Sequence, residues 1–302
     1  MAHFMYSQIF ADFNNKAAFE TIRPKRALAP IVFNSSHSGR EYPERFIEMS
    51  QLDKFSIRQS EDAYVDDLFI HAPNMGAPML RALFPRAYLD VNREPYELDQ
   101  KMFEEKLPEH YNINSLRVKS GLGTLARIVA ENKPIYSQKL RLADAQMRIE
   151  NIYRPYHQAL QKLLSGSVHQ FGIALLIDCH SMPALKPSRF TAAPDIILGD
   201  RFGTSCTPAI VDLVETVFSG AGLKVIRNKP YAGGFITHSY GKPNHNVHAL
   251  QIEISRHLYM NEVTLKPNKD FIAIQKIIDR LISSLLHFNI AALSQGNANA
   301  AE

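Results

Sequence analysis

Two histidines in this chain stand where a metal ion could reach them. His37 lies in Asn34-Ser35-Ser36-His37-Ser38-Gly39, and His180 in Asp178-Cys179-His180-Ser181-Met182-Pro183. The small residues around His37 leave room for an ion or a substrate. A turn histidine that only makes a hydrogen bond is the plainer account of His37 taken alone. Asp178 and His180 are spaced by two, so on a strand both side chains leave the same face. Asp178 can then orient the imidazole of His180, as ligating histidines usually require. An ordinary ion pair at a strand end is the rival account.

Carboxylates and an arginine extend the set. Glu253 interrupts the apolar run Ala249-Leu250-Gln251-Ile252-Glu253-Ile254. A charge there is costly unless it is paired or used, and desolvation moves a carboxylate towards the range useful for a general base. A structural ion pair, with Arg256 for instance, is the alternative. Arg93, after Asp90-Val91-Asn92, offers a planar fork suited to a carboxylate, although surface arginines are common. Glu61 and Asp62 lie in an acidic segment, Ser60 to Phe69, that reads as a helix opening with Ser60 as cap. Acids there favour the helix dipole; alternatively, one of them is a metal ligand. Catalytic zinc typically takes three ligands of the His/His/carboxylate type plus water.

Nucleophilic chemistry has weaker support. No GxSxG elbow is present. Cys179 adjoins His180, but neighbours on a strand point to opposite faces and make a poor dyad. No GxGxxG or phosphate-loop pattern occurs. Gly233-Gly234 and Gly241 bracket residues 235–240, which read as a loop that shapes the pocket.

These residues need a scaffold. Short apolar runs at 29–33, 87–91, 173–177, 195–198 and 249–254 have the length and character of buried strands. Helical spacing marks Ala209 to Phe218, with Thr207 as N-cap, Pro208 in the first turn, and Gly220 and Gly222 as stop signals. Asp270 to Phe288 is the clearest helix, with Asn268 as its cap, and Arg154 to Leu164 is another. Strands alternating with helices predict an α/β fold: a single domain with an open sheet, parallel or mixed, and helices on both faces. Ligands in such sheets bind beyond the carboxyl ends of the strands, and that is where His37, Arg93 and His180 fall.

Composition narrows the partners. A net charge of +4 over 302 residues, with no long Lys/Arg run, lacks the footprint of a nucleic-acid binder. It would suit a small anionic substrate. No stretch nears ~18 continuous apolar residues, so no transmembrane helix is expected. Cys179 and Cys206 form no disulfide framework. The first twenty residues carry acidic and amide groups where a signal peptide needs apolar ones, and a reducing cytoplasm is expected. The expected organisation is an N-terminal extension over 1–28, a catalytic domain over 29–290 and a flexible tail over 291–302.

In serial order the chain carries Phe-Asn-Ser-Ser-His-Ser-Gly (33–39), Glu-Asp-Ala-Tyr-Val-Asp-Asp-Leu (61–68), Leu-Asp-Val-Asn-Arg (89–93), Gly-Leu-Gly (121–123), Asp-Cys-His-Ser-Met (178–182), Pro-Asp-Ile-Ile-Leu-Gly (194–199), Gly-Gly-Phe-Ile-Thr-His-Ser-Tyr-Gly (233–241) and His-Ala-Leu-Gln-Ile-Glu-Ile (248–254). This series resembles the N-formylglutamate amidohydrolase family, which is similar in turn to zinc carboxypeptidases and aspartoacylases. The resemblance implies a zinc-exopeptidase-like (phosphorylase/hydrolase-like) fold and hydrolysis of N-formyl-L-glutamate to formate and L-glutamate. It implies one zinc ion, or another divalent transition metal, on His37 and His180. Asn92 and Arg93 match the pair that holds the substrate carboxylate, and Glu253 matches the base. The related enzymes place the carboxylate ligand three residues after the first histidine, where this chain has Arg40. Asp62 fits the amidohydrolase frame, with Glu61 and Glu41 as alternates. A dianionic substrate calls for a second cation, for which Arg127 and Arg256 are candidates. Asp178 is expected behind His180, and His248 lines the pocket, supports Glu253 or is a core residue. The alternatives are a deacylase for another N-acyl amino acid or small amide, and a non-catalytic metal- or carboxylate-binding protein.

Overall fold

The computed structural model describes Phe13 and residues 17–131, 133–187 and 193–290. A seven-stranded sheet organises the chain. Its strands are β1 (Phe19–Ile22), β2 (Ile31–Ser35), β3 (Met79–Ala82), β4 (Ala174–Met182), β5 (Ile196–Gly199), β6 (Val225–Arg227) and β7 (Val247–Ser255), in the order β1-β3-β2-β4-β7-β5-β6. β2 runs parallel to β4, β4 to β7 and β5 to β6, whereas β5 is antiparallel to β7. The sheet is therefore mixed and largely parallel, and the chain has the α/β class that the strand–helix alternation predicts.

Five helices concern the site and its support: α1 (Val65–Leu68), α2 (Arg154–Phe171), α3 (Pro208–Gly220), α4 (Phe235–Tyr240) and α5 (Phe271–His287). Every residue of β2, β4 and β5 is buried, as expected of apolar strands covered on both faces. Ile177, Ile252 and Ile254 pack in one core with Val214 and Phe218 of α3 and with Ile278, Leu281 and Leu285 of α5. Truncating a wholly buried leucine such as Leu281 costs about 2–5 kcal/mol. α1 packs against β4 and α5, which fixes the chain just after Asp62.

The chain divides into two compact units. One contains residues 36–61 and 81–159; the other contains 21–35, 62–80 and the described residues from 160 onward. The expected tail at 291–302 lies outside the described residues. So does much of the 1–28 segment, of which Phe19–Ile22 forms β1.

Several local expectations change. Residues 87–91 form no strand: Pro85 starts a turn whose carbonyl accepts from Tyr88 N–H at 2.9 Å, and the Asp90 side chain accepts from Asn92 N–H at 2.8 Å. Met79–Ala82 is the sheet strand of this region. Ser60 caps no helix, because it ends the 3-10 turn Ser56–Ser60 and α1 begins only at Val65. The cap position of α5 is Asp270, and Asn268 accepts from Asp270 N–H at 2.9 Å. Residues 235–240 are helical rather than looped, and α2 runs on to Phe171.

Candidate metal centre

The carboxyl ends of β4 and β7 carry one polar cluster. The strands pair in register, with Asp178 opposite Gln251 and His180 opposite Glu253. Residues two apart share a face, so all four side chains leave on the same side. His180 Nε2 lies 3.0 Å from Asp178 Oδ2. Asp178 Oδ1 accepts from Asn34 Nδ2 of β2 at 2.7 Å, which locks the carboxylate. The other ring nitrogen, Nδ1, lies 2.9 Å from Asp62 Oδ2. Burial is the largest single influence and works against a charged imidazole. The charge of Asp178, hydrogen bonds to Asp178 and Asp62 and the charge of Glu253 together outweigh it, so the metal-free His180 pKa stands well above its ordinary value.

Asp62 is also met by Arg256, whose Nη2 lies 3.2 Å from Oδ1 and whose Nε donates to Ser181 Oγ at 3.2 Å. Gln251 donates to Glu253 Oε1 at 2.8 Å, while its own Oε1 accepts from Gly234 N–H at 2.7 Å. Both ends of the amide are used, which fixes its orientation. Gly233 makes this turn at φ 121° with its Cα against Thr237 of α4. A side chain there would be strained.

The second constellation surrounds His37, beyond the end of β2. His37 Nε2 lies 2.7 Å from Asp90 Oδ1. Gly39 permits this turn, since a Cβ at that position would collide with the Phe84 carbonyl. Arg86 Nε donates to Asp90 Oδ2 at 3.0 Å, and Arg93 Nη2 lies 3.6 Å from the same oxygen. Burial opposes the Asp90 charge, yet Arg93, then His37 and Arg86, hold its carboxyl well below the usual range. Arg93 is fixed by its bonds to the carbonyls of Leu122 and Asn92, at 2.9 and 2.8 Å. Burial draws its pKa down to about 10 against the pull of Asp90.

His37, Asp62 and His180 each offer a ligand atom, these atoms lie within 4.8 Å of one another, and all three residues are buried. Two imidazoles and a carboxylate suit zinc. Each histidine is backed through Nε2 by an aspartate, so a bond to an ion would fall to Nδ1 in both. Among the described residues this is the group whose chemistry and spacing fit a metal.

The N-formylglutamate amidohydrolase family profile matches residues 29–260. The chain belongs to this family. It is 28% identical to the N-formylglutamate deformylase of Pseudomonas aeruginosa over 247 residues, covering 80% of this chain and 86% of that protein. It is 27% identical to the N-formylglutamate deformylase of Pseudomonas putida over 263 residues, covering 85% and 92%. The crystal structure of N-formylglutamate amidohydrolase from Ralstonia eutropha JMP134 superposes with a TM-score of 0.84 at 34% identity, covering 94% of this chain and 100% of that one. A gene product of Agrobacterium tumefaciens, at 18% identity and a TM-score of 0.64, shares the fold. As an amidohydrolase family member, this chain is a hydrolase acting on an amide bond. No described helix is long and apolar enough to cross a membrane.

The remaining candidates of this amidohydrolase fall elsewhere. Glu61 is held by both Arg58 nitrogens, at 2.9 and 3.0 Å, and by the Tyr42 hydroxyl at 2.7 Å, and it does not join the metal-ligating group. Glu41 is exposed and also outside it. Arg127 meets Asp99 at 2.9 Å, so its charge already has a counterion. Arg256 sits on Asp62, at the metal-ligating group. His248 does not support Glu253: five residues separate them along β7, an odd number that puts them on opposite faces, ~16 Å apart. Its Nδ1 accepts from Thr207 N–H at 3.3 Å, at the start of α3, where the Thr207 side chain makes no capping bond.

Asp90, Asn34 and Gln251 were not singled out from the sequence. Asn34 and Gln251 had a signal: each is the register partner of Asp178, but register is invisible before the strands are paired.

Proposed function

We propose that this amidohydrolase cleaves N-formyl-L-glutamate to formate and L-glutamate, using a zinc ion on His37, Asp62 and His180 and Glu253 as base. The grouping of those three ligand atoms within 4.8 Å carries the reading, together with relatives named N-formylglutamate deformylase.

Zinc, when bound, supplies a Lewis acid that makes water acidic and polarises a carbonyl. Glu253 takes the proton of the attacking water as the water adds to the formyl carbon, and returns it to the nitrogen of the departing glutamate. Gln251 holds the Glu253 carboxylate through Oε1 and so orients it. Arg93 binds a substrate carboxylate through its fork. Asp178 keeps the proton of His180 on Nε2, leaving Nδ1 a lone pair for the metal. Arg256 holds Asp62 in place and offsets the negative charge of that carboxylate.

Metal analysis coupled to a formate-release assay tests the proposal. The expected outcome is about one zinc per chain and formate release from N-formyl-L-glutamate that stops on chelation and returns with zinc. Faster hydrolysis of other N-formyl amino acids, or of N-acetyl amino acids read as acetate and free amine, would move the substrate assignment and keep the chemistry.

A further inference from the structure

The two histidines of the metal-ligating group are each backed by a buried aspartate, but the aspartates keep different company. Asp178 meets His180 and Asn34. Asp90 meets His37 at 2.7 Å and the N–H of Asn92 at 2.8 Å through Oδ1, and Arg86 at 3.0 Å and Arg93 at 3.6 Å through Oδ2. We propose that Asp90 is a positioning residue that serves two parts of the reaction centre at once, orienting His37 towards the metal and holding Arg93 for the substrate carboxylate. This rests on the zinc reading given above.

The geometry gives Asp90 this reach. Its turn is short, running from Pro85 to Asn92, and it closes on its own side chain through the Asn92 N–H. With Oδ1 on Nε2 of His37, that nitrogen carries the proton and Nδ1 presents its lone pair. An acceptor behind a ligating imidazole also raises its basicity towards the metal. On the other oxygen, Arg86 supplies a second guanidinium. Arg86 and Arg93 share this oxygen, Arg86 at 3.0 Å and Arg93 at 3.6 Å, so Asp90 holds Arg93 in place through a longer ion pair. Asp90 is 2% exposed, and burial keeps these interactions from being screened by water.

The test uses the full chain. Zinc affinity of the wild type is first measured by chelator competition, and a wild type that takes up no zinc overturns both this inference and the reading beneath it. With a zinc-binding wild type, Asp90→Asn is expected to lower zinc affinity ~10- to 100-fold. In the zinc-saturated enzyme it is expected to raise KM more than it lowers kcat. A merely structural role would lower the unfolding temperature of the metal-free chain and leave zinc affinity alone. Zinc affinity within about twofold of wild type overturns the proposal, and an unchanged KM overturns its Arg93 half. Should Asp90→Asn not fold, Asp90→Glu keeps the charge and displaces the oxygens by one methylene. A fall in its zinc affinity of about tenfold or more supports the proposal, and a smaller change overturns it.

Discussion

His180 and Glu253 are register partners on adjacent parallel strands. Their backbones are therefore about 4.8 Å apart, and their side chains leave on one face. The proposed ligand and the proposed base stand side by side on two paired central strands, held by main-chain hydrogen bonds instead of by a loop. That arrangement separates metal binding from proton transfer, and each can be removed alone.

Glu253→Gln keeps the shape and removes the base. Zinc content should match the wild type while kcat falls by at least ~10². Paired metal analysis and initial rates check this, and undiminished turnover would end the base assignment.

His180→Ala should lose stoichiometric zinc. The loss should also appear in stability, because a ligand that binds only the folded chain adds about 2.7 kcal/mol at a hundred times its dissociation constant. Zinc should raise the unfolding temperature of the wild type and leave that of His180→Ala unchanged. A variant that still gains from zinc keeps its metal through other residues.

Arg93→Ala removes a charge-assisted contact with substrate. The expected loss in kcat/KM is on the order of 1.5–3 kcal/mol, or roughly 10- to 100-fold, carried mainly by KM. A loss confined to kcat would place Arg93 at the reacting carbon instead.

His248→Ala leaves the Thr207 N–H without its present acceptor. The chain should lose about 1–3 kcal/mol of stability with kcat/KM unchanged. A selective drop in turnover, read beside a denaturant melt, would return His248 to the reaction centre.

Some of this was legible before the fold was known. A strand repeats every two residues, so Asp178 had to share a face with His180, and Glu253 stood out because a charge in an apolar strand needs a reason. Asp62 was less visible, since two adjacent acids at an expected helix start are explained equally well by the dipole, and only resemblance chose between them. The helix in fact begins at Val65, so the dipole account of Asp62 disappears. Asp90 was hidden for a different reason. Its apolar neighbours imitate a strand, whereas Pro85 and the Asp90 side chain build a turn by side-chain-to-backbone bonds that have no period. Arg127 and Arg256 are candidates because a dianionic substrate needs a second cation, and that need does not reveal that Asp99 and Asp62 already stand beside them.

The amide of Gln251 spans the gap between Gly234 N–H and Glu253, and it can do so only as an amide. In the genetic code, glutamate is a single base from glutamine. Gln251→Glu would keep the acceptor for Gly234 but lose the donor, and would set a third carboxylate on the face that already holds Asp178 and Glu253. A single-base change that is almost isosteric in protein would therefore break the contact that holds Glu253, and spontaneous deamidation of the same side chain would break it by the same route.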